Sequence, residues 1–139
     1  MVYSLLYVSK TLLKFPAGEA EVANIVAGSL SRNARLGVTG ALISTGSCFA
    51  QVLEGDKAAV EELMASINAD PRHMRVKILR AVEEEGRRFA DWYLAYSGTS
   101  ATVDRHIAPL FANLPAADEA RLGLRLIGLM EEVARISPD

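Results

Sequence analysis

The chain has 139 residues, and half of them are hydrophobic, which is enough for one packed domain and argues against intrinsic disorder. Its formal net charge is −2 and its basic residues are dispersed, so the composition excludes the basic patch of a nucleic-acid-binding protein. One cysteine, Cys48, excludes an intramolecular disulfide framework. No apolar run approaches the about 20 residues of a transmembrane helix, and residues 1–8 lack the features of a signal peptide. We therefore expect a soluble, cytoplasmic protein that binds neither nucleic acid nor membrane.

Hydrophobic periodicity, glycines and prolines divide the chain into alternating strands and helices. In the first strand, the alternation places Tyr3, Leu5 and Tyr7 on one face. In chain order, the predicted elements are a strand at 2–9, a helix at 17–36 ended by Gly37, a strand at 38–44, a turn at 45–47, a strand from Cys48 closed by a Glu54–Gly55 turn, a helix between Asp56 and Pro71, strands at 76–83 and 93–97, and helices at 102–113 and 117–136.

This order predicts an α+β, ferredoxin-like βαββαββ fold with two helices on one face of the sheet. The composition changes at Gly98, so we predict a domain at 1–98 and a helical extension at 99–139. The last helix carries an apolar stripe, which we expect to cover the other face of the sheet or a partner chain. The charged segment 83–88 is most simply a solvated connection.

Gln51 is an amide within a strand that is otherwise apolar, so we predict that it is buried. A buried amide must find hydrogen-bond partners, and one unpaired group costs about 1–3 kcal/mol. Backbone groups or water could satisfy it, or it could be held there to bind a ligand. Asn33 lies on the buried stripe of the first predicted helix, where it could instead bond a nearby carbonyl of the last turn.

Tyr7, Asn33 and Gln51 are polar side chains in elements built to pack, and the predicted fold allows all three to converge. Convergent polar groups in an apolar slot are typical of a ligand site. Familiar catalytic and nucleotide-binding motifs are missing: the chain has no Gly-x-Gly-x-x-Gly, P-loop or CxxC sequence. Its two histidines, His73 and His106, lack the spacing of metal ligands, so we expect no metal.

Over residues 1 to about 97, the chain resembles the BLUF family of blue-light sensors, which bind FAD. The resemblance depends on five motifs in order, which are Leu6–Ser9, Asn33–Leu42, Phe49–Gly55, Asp70–His73 and Arg88–Trp92.

The resemblance implies a role for each matching residue. Tyr7 would donate an electron and a proton to the excited flavin. Gln51 would be the switch between that tyrosine and the flavin, and Asn33 would bind the pyrimidine side of the ring. The other implied cofactor contacts are Ile25, Ile67, Ser29, Asp70, Arg72 and His73.

The fifth strand departs from the family pattern at one position. Trp92 is present, but Leu94 stands where the family usually has a methionine, in a stretch tied to signal output. Leucine keeps the volume of methionine and loses the flexibility of the thioether. We therefore expect the photochemistry to be retained and the output to differ.

These features lead us to expect a photoreceptor with no enzymatic activity of its own. It would pass a red-shifted signalling state to an effector protein, and it would form a homo-oligomer. A cofactor-free ferredoxin-like interaction module is the alternative, and a flavin-dependent redox enzyme is a third possibility.

Overall fold

The structure is a computed structural model that describes residues 1–11, 33–44, 48–69, 73–89, 92–97, 105 and 107–136. Its elements, in chain order, are β1 (Val2–Thr11), β2 (Thr39–Ser44), β3 (Cys48–Gly55), α1 (Lys57–Ala69), β4 (His73–Glu84), β5 (Trp92–Ser97), a 3-10 helix (Ala108–Phe111) and α2 (Ala116–Ile136). The described elements follow the predicted order, and the α+β class is confirmed. Where a helix was predicted at 102–113, the element described is the 3-10 helix Ala108–Phe111, because Pro109 removes a backbone donor.

The five strands form one sheet in the order β4-β1-β3-β2-β5. The order β4-β1-β3-β2 is that of a ferredoxin-like sheet, and β1 is antiparallel to both β3 and β4. β2 is antiparallel to β3 on one side and parallel to β5 on the other. β3 therefore lies at the centre of the sheet, and all eight of its residues are buried.

The alternation predicted for β1 divides the core into two layers. Leu5 and Tyr7 pack in one cluster with the buried stripe of α1, which is Val60, Leu63, Met64 and Ile67. Leu6 and Val8 pack on the opposite face of the sheet, in a second cluster. Cys48 belongs to this second cluster as a small buried core residue.

The C-terminal segment covers this second face of the sheet. Leu126, Ile127 and Met130 of α2 are at most 1% exposed and pack against β1, β2 and β3, together with Ile107 and Leu110. Leu122 and Leu129 pack at the edge of the same cluster. Because the stripe of the last helix is buried against its own sheet, it no longer supports an oligomer.

Several predicted boundaries were wrong. β4 begins at His73, which was expected in a loop, because β1 extends to Thr11 and pairs with it. The Glu54–Gly55 turn is part of β3, where Glu54 pairs with Ser4 and Thr39. Of the helix expected at 17–36, only 33–36 lie within the described residues, and Gly37 follows them with a φ of 69°. The turn at 45–47 lies outside the described residues.

Gly40→Ala should disrupt the sheet. Gly40 has a φ of 154°, and a Cβ there would overlap the backbone oxygen of Val52. We expect the free energy of unfolding to fall by about 3 kcal/mol or more. Gly128→Ala is the matched control, because this helical position has open space and should gain about 1 kcal/mol. Chemical denaturation measures both, and equal stabilities would contradict the close packing of β2 on β3.

Candidate functional site

Tyr7 and Gln51 form a buried polar pair at the centre of the sheet. They lie directly opposite each other on the antiparallel strands β1 and β3. The Tyr7 hydroxyl donates to Oε1 of Gln51 over 2.5 Å. The tyrosine is 0% exposed and the glutamine 5% exposed, so bulk water does not compete for this bond. The prediction that Gln51 is buried is confirmed.

The register of the sheet fixes this pair. Cross-strand partners share a face, so the two side chains meet because β1 and β3 are aligned over eight residue pairs. The same row continues to both edges, through Ile78, Tyr7, Gln51, Leu42 and Leu94. Position 94 is therefore separated from Gln51 by a single strand, β2.

The amide nitrogen of Gln51 is a buried hydrogen-bond donor that the described residues leave unpaired. Among the described residues, Nε2 of Gln51 has no hydrogen-bond partner, whereas Oε1 accepts from Tyr7. An unpaired buried donor of this kind costs about 1–3 kcal/mol. A ligand with an acceptor atom would remove that cost, and the carbonyl and ring-nitrogen edge of a flavin offers such acceptors. The donor set therefore fits the cofactor that the sequence resemblance implies.

Asn33 lies in the last helical turn before β2 and is 2% exposed. Its backbone carbonyl accepts a 2.8 Å hydrogen bond from the backbone N–H of Val38. Val38 belongs to the same cluster as Tyr7, so this turn is attached to the layer that contains the pair. Its predicted contact with the cofactor stays a prediction.

The other predicted site residues differ in how much the structure describes. Ile67 is 8% exposed and packs in the cluster of Tyr7, on the face where the ring is expected. His73 begins β4, and the backbone positions of Trp92 and Leu94 lie in β5 opposite Gly40 and Leu42. The positions outside the described residues are Ile25, Ser29, Asp70 and Arg72.

Glu54 is a buried carboxylate that the sequence analysis treated as a turn residue. It is 0% exposed, and its two oxygens accept the backbone N–H groups of Arg88 and Phe89 at 2.8 and 2.9 Å. Burial raises the pKa of Glu54, while these two hydrogen bonds and the charge of Arg87 oppose the rise. A carboxylate in an otherwise apolar run is the signal that could have identified it.

The segment 83–88 is largely exposed, as predicted, but its arginines also bind across the fold. Arg87 donates to the backbone oxygens of Glu54 and Gly37 and to Oγ1 of Thr39, at 2.8 to 3.0 Å. Arg88 forms ion pairs with Glu84 of β4 and Glu131 of α2, at 3.0 and 3.2 Å. Spacing alone could not reveal partners so distant in the chain.

Within the described part of the chain, no group of three or more His, Cys, Asp or Glu residues could hold a metal ion. In the same residues, no helix is long and apolar enough to span a membrane.

The described residues combine a ferredoxin-like sheet with a buried tyrosine–glutamine pair whose amide donor fits a ligand with an acceptor atom. The sequence profile of the family described as "BLUF: Sensors of blue-light using FAD" matches residues 2–95. The chain therefore belongs to the BLUF family, and FAD is the cofactor of that family.

Curated relatives and solved structures agree with this assignment. Photoactivated adenylate cyclase subunit beta of Euglena gracilis is 33% identical over 90 residues, which is 65% of this chain and 10% of that protein. The chain thus spans about a tenth of the length of the curated relatives it matches. BlrB, a BLUF protein, is 30% identical with a TM-score of 0.68, and the alignment covers 97% of this chain and 96% of BlrB. BlrP1 of Klebsiella pneumoniae is 28% identical with a TM-score of 0.64, over 97% of this chain and 34% of BlrP1.

A double-mutant cycle should detect the Tyr7–Gln51 hydrogen bond. Because Tyr7→Phe removes the donor and Gln51→Leu removes the acceptor, we expect their effects on the free energy of unfolding to be coupled by about 1 kcal/mol. Tyr3→Phe is the control, since Tyr3 lies on the same strand but pairs with Gly55. Urea denaturation of the four proteins in each cycle gives the coupling, and additive effects for Tyr7 and Gln51 would contradict the bond.

Glu84→Gln should make stability less dependent on acidic pH. Desolvation favours the neutral form of Glu84, but hydrogen bonds and charges from Arg80 and Arg88 outweigh it and lower its pKa below the ordinary 4.5. This stabilisation is present above pH 4.5 and is lost as pH falls through the lowered pKa. The difference between wild type and variant should therefore shrink in acid, as measured by denaturation at several pH values. Asp118→Asn, at an exposed ion pair, is the control and should change little.

Proposed function

We propose that this chain is a blue-light photoreceptor module that switches through the hydrogen bond between Tyr7 and Gln51 and has no catalytic activity of its own. The observation that carries the proposal is the buried Tyr7–Gln51 bond, which leaves the Gln51 amide donor for the cofactor. Membership of a family of FAD-dependent blue-light sensors supports it.

The cofactor would lie between α1 and the helix that ends at Gly37. Gln51 and Asn33 would hold the ring by hydrogen bonds, and Ile67 would contact its face, as would Ile25 from the other helix. Ser29, Asp70, Arg72 and His73 would complete the site. When bound, FAD absorbs blue light and, once excited, can accept an electron.

The proton chemistry of the chain itself centres on Oε1 of Gln51. Oε1 accepts from the Tyr7 hydroxyl, so a proton that leaves Tyr7 is received there. Rotation of the ordinary Gln51 amide would turn Oε1 toward the cofactor, and this oxygen can only accept a hydrogen bond. The tautomer with a hydrogen on Oε1 can instead donate after rotation. Tyr7 gives its proton to Oε1, and the hydrogen that leaves Nε2 ends on the Tyr7 oxygen, so the Tyr7 hydroxyl is restored. The net change is one hydrogen fewer on Nε2 and one more on Oε1.

Each rearranged hydrogen bond changes the free-energy difference between two conformations by about 1 kcal/mol. The output must therefore act on an element whose two conformations are already close in free energy. We propose that β5, with Trp92 and Leu94, and the C-terminal segment 99–139 serve this role beside the flavin domain 1–98. The receiver would be an effector protein, and a homo-oligomer would bring two such modules together. The photoactivated cyclases that resemble this chain support an effector downstream of the light sensor.

An absorption spectrum of the FAD-loaded protein tests the proposal. We expect a flavin spectrum that moves slightly to the red under blue light and returns in darkness. Tyr7→Phe should bind FAD and lose this response, because the hydroxyl that supplies the proton is gone. Gln51→Leu should also bind FAD and fail to shift, whereas Tyr3→Phe should respond as the wild type does.

Three other results would contradict the proposal. A Tyr7→Phe variant with a normal photocycle would reject the mechanism. A colourless protein that refuses added FAD would favour the cofactor-free interaction module. Steady oxidation of NAD(P)H by the flavoprotein would favour a redox enzyme.

A further inference from the structure

We propose that Glu54 is a positioning residue that holds the loop after β4, residues 85–89, to the strand that carries Gln51, and so couples the switch to α2. This inference rests on the proposed function. It assigns the passage of the signal through the sheet to side chains and backbone groups that are not part of the cofactor site.

The carboxylate of Glu54 binds the loop at two consecutive backbone positions. Oε2 accepts from the N–H of Arg88 and Oε1 from the N–H of Phe89. Hydrogen bonds to a buried carboxylate are stronger than those between neutral groups, and a pair of them also fixes orientation. The loop is therefore bound to β3 as a unit, 34 residues beyond Glu54 in the chain.

Gln51 and Glu54 lie three residues apart on β3, and the alternation of a strand places them on opposite faces. Leu53 packs with Tyr7 and α1, whereas Ala50 and Val52 pack in the cluster of α2. The register puts Gln51 on the face of Leu53 and Glu54 on the face of Val52. A displacement of β3 caused at Gln51 thus reaches the α2 side of the sheet through one short, buried segment of backbone.

The loop is in turn bound to α2. The side chain of Arg88 bridges Glu84 at the end of β4 and Glu131 of α2. Phe89 is 2% exposed and lies in the same cluster as Ile127 and Met130. Loop and helix are therefore joined both by an ion pair and by apolar packing.

Arg87 closes the connection on the opposite side. Its guanidinium donates to the backbone oxygen of Glu54 itself, to the backbone oxygen of Gly37 before β2 and to Oγ1 of Thr39, the first residue of β2. The ends of β2, β3 and β4 are consequently held together at one corner of the sheet. A change in β3 would be transmitted at this corner.

The inference predicts different effects for two variants. Glu54→Gln keeps the side-chain volume but leaves one acceptor for two N–H groups, so the amides of Arg88 and Phe89 should exchange with solvent roughly tenfold faster or more in the dark. Arg88→Ala keeps both backbone bonds to Glu54 and removes the bridge to Glu131. Neither variant changes Tyr7 or Gln51, so both should keep the red shift.

The test is amide hydrogen exchange of the FAD-loaded full chain in darkness and under blue light, with absorption recorded on the same samples. We expect wild-type α2 to change its exchange in light, and both variants to lose that change. Arg121→Ala is the control, because its ion pair with Asp118 lies on α2 without contacting the loop. It should retain both the red shift and the response of α2.

Two outcomes would overturn the inference while leaving the proposed function intact. One is a Glu54→Gln protein whose absorption shifts to the red in light and whose α2 still changes its amide hydrogen exchange. The other is unchanged dark exchange at Arg88 and Phe89. A wild-type protein that does not redden would reject the proposed function and the coupling with it, and its dark exchange rates would still decide whether Glu54 holds the loop.

Discussion

The hydrogen bond between Tyr7 and Gln51 imposes the constraint that the rest of the structure meets. Two polar side chains at the centre of a sheet are tolerated because each satisfies the other, and removal of one would leave a buried group unpaired. The bond requires β1 and β3 to be adjacent and in one register, with an apolar layer above the pair to exclude water. The Gln51 amide donor has no hydrogen-bond partner among the described residues, and an acceptor atom of a flavin could pair with it.

The sheet separates the Tyr7–Gln51 pair from α2. One face carries the polar pair and packs against α1, and the other is covered by α2 and the 3-10 helix. β3 contributes to both faces because its residues alternate. Gln51 and Glu54 are thus the polar residues through which one strand contacts both layers. They give a physical route between the Gln51 amide and the helix α2 on the opposite face.

Much of this could be predicted from the sequence, because period-two and helical patterns report directly on burial. The order of the described elements, the two faces of β1 and the burial of Gln51 all followed from such patterns. Glu54 did not, because Glu-Gly is a local turn signature and its partners, two backbone N–H groups, lie more than thirty residues away. The extension of β4 to His73 depended on pairing with Thr11, and the binding of Arg87 and Arg88 depended on tertiary contacts that charge patterning cannot reveal.

Gln51 is the single glutamine of the chain, so glutamine labelled with ¹³C at the side-chain carbonyl marks this residue alone. The most direct test of the central claim is a light-minus-dark infrared difference spectrum of the FAD-loaded protein with and without that label. If light changes the bonding of the Gln51 amide, the label will shift bands in the difference spectrum. A difference spectrum that the label leaves unchanged, in a protein whose visible absorption still reddens, would contradict a switch at Gln51.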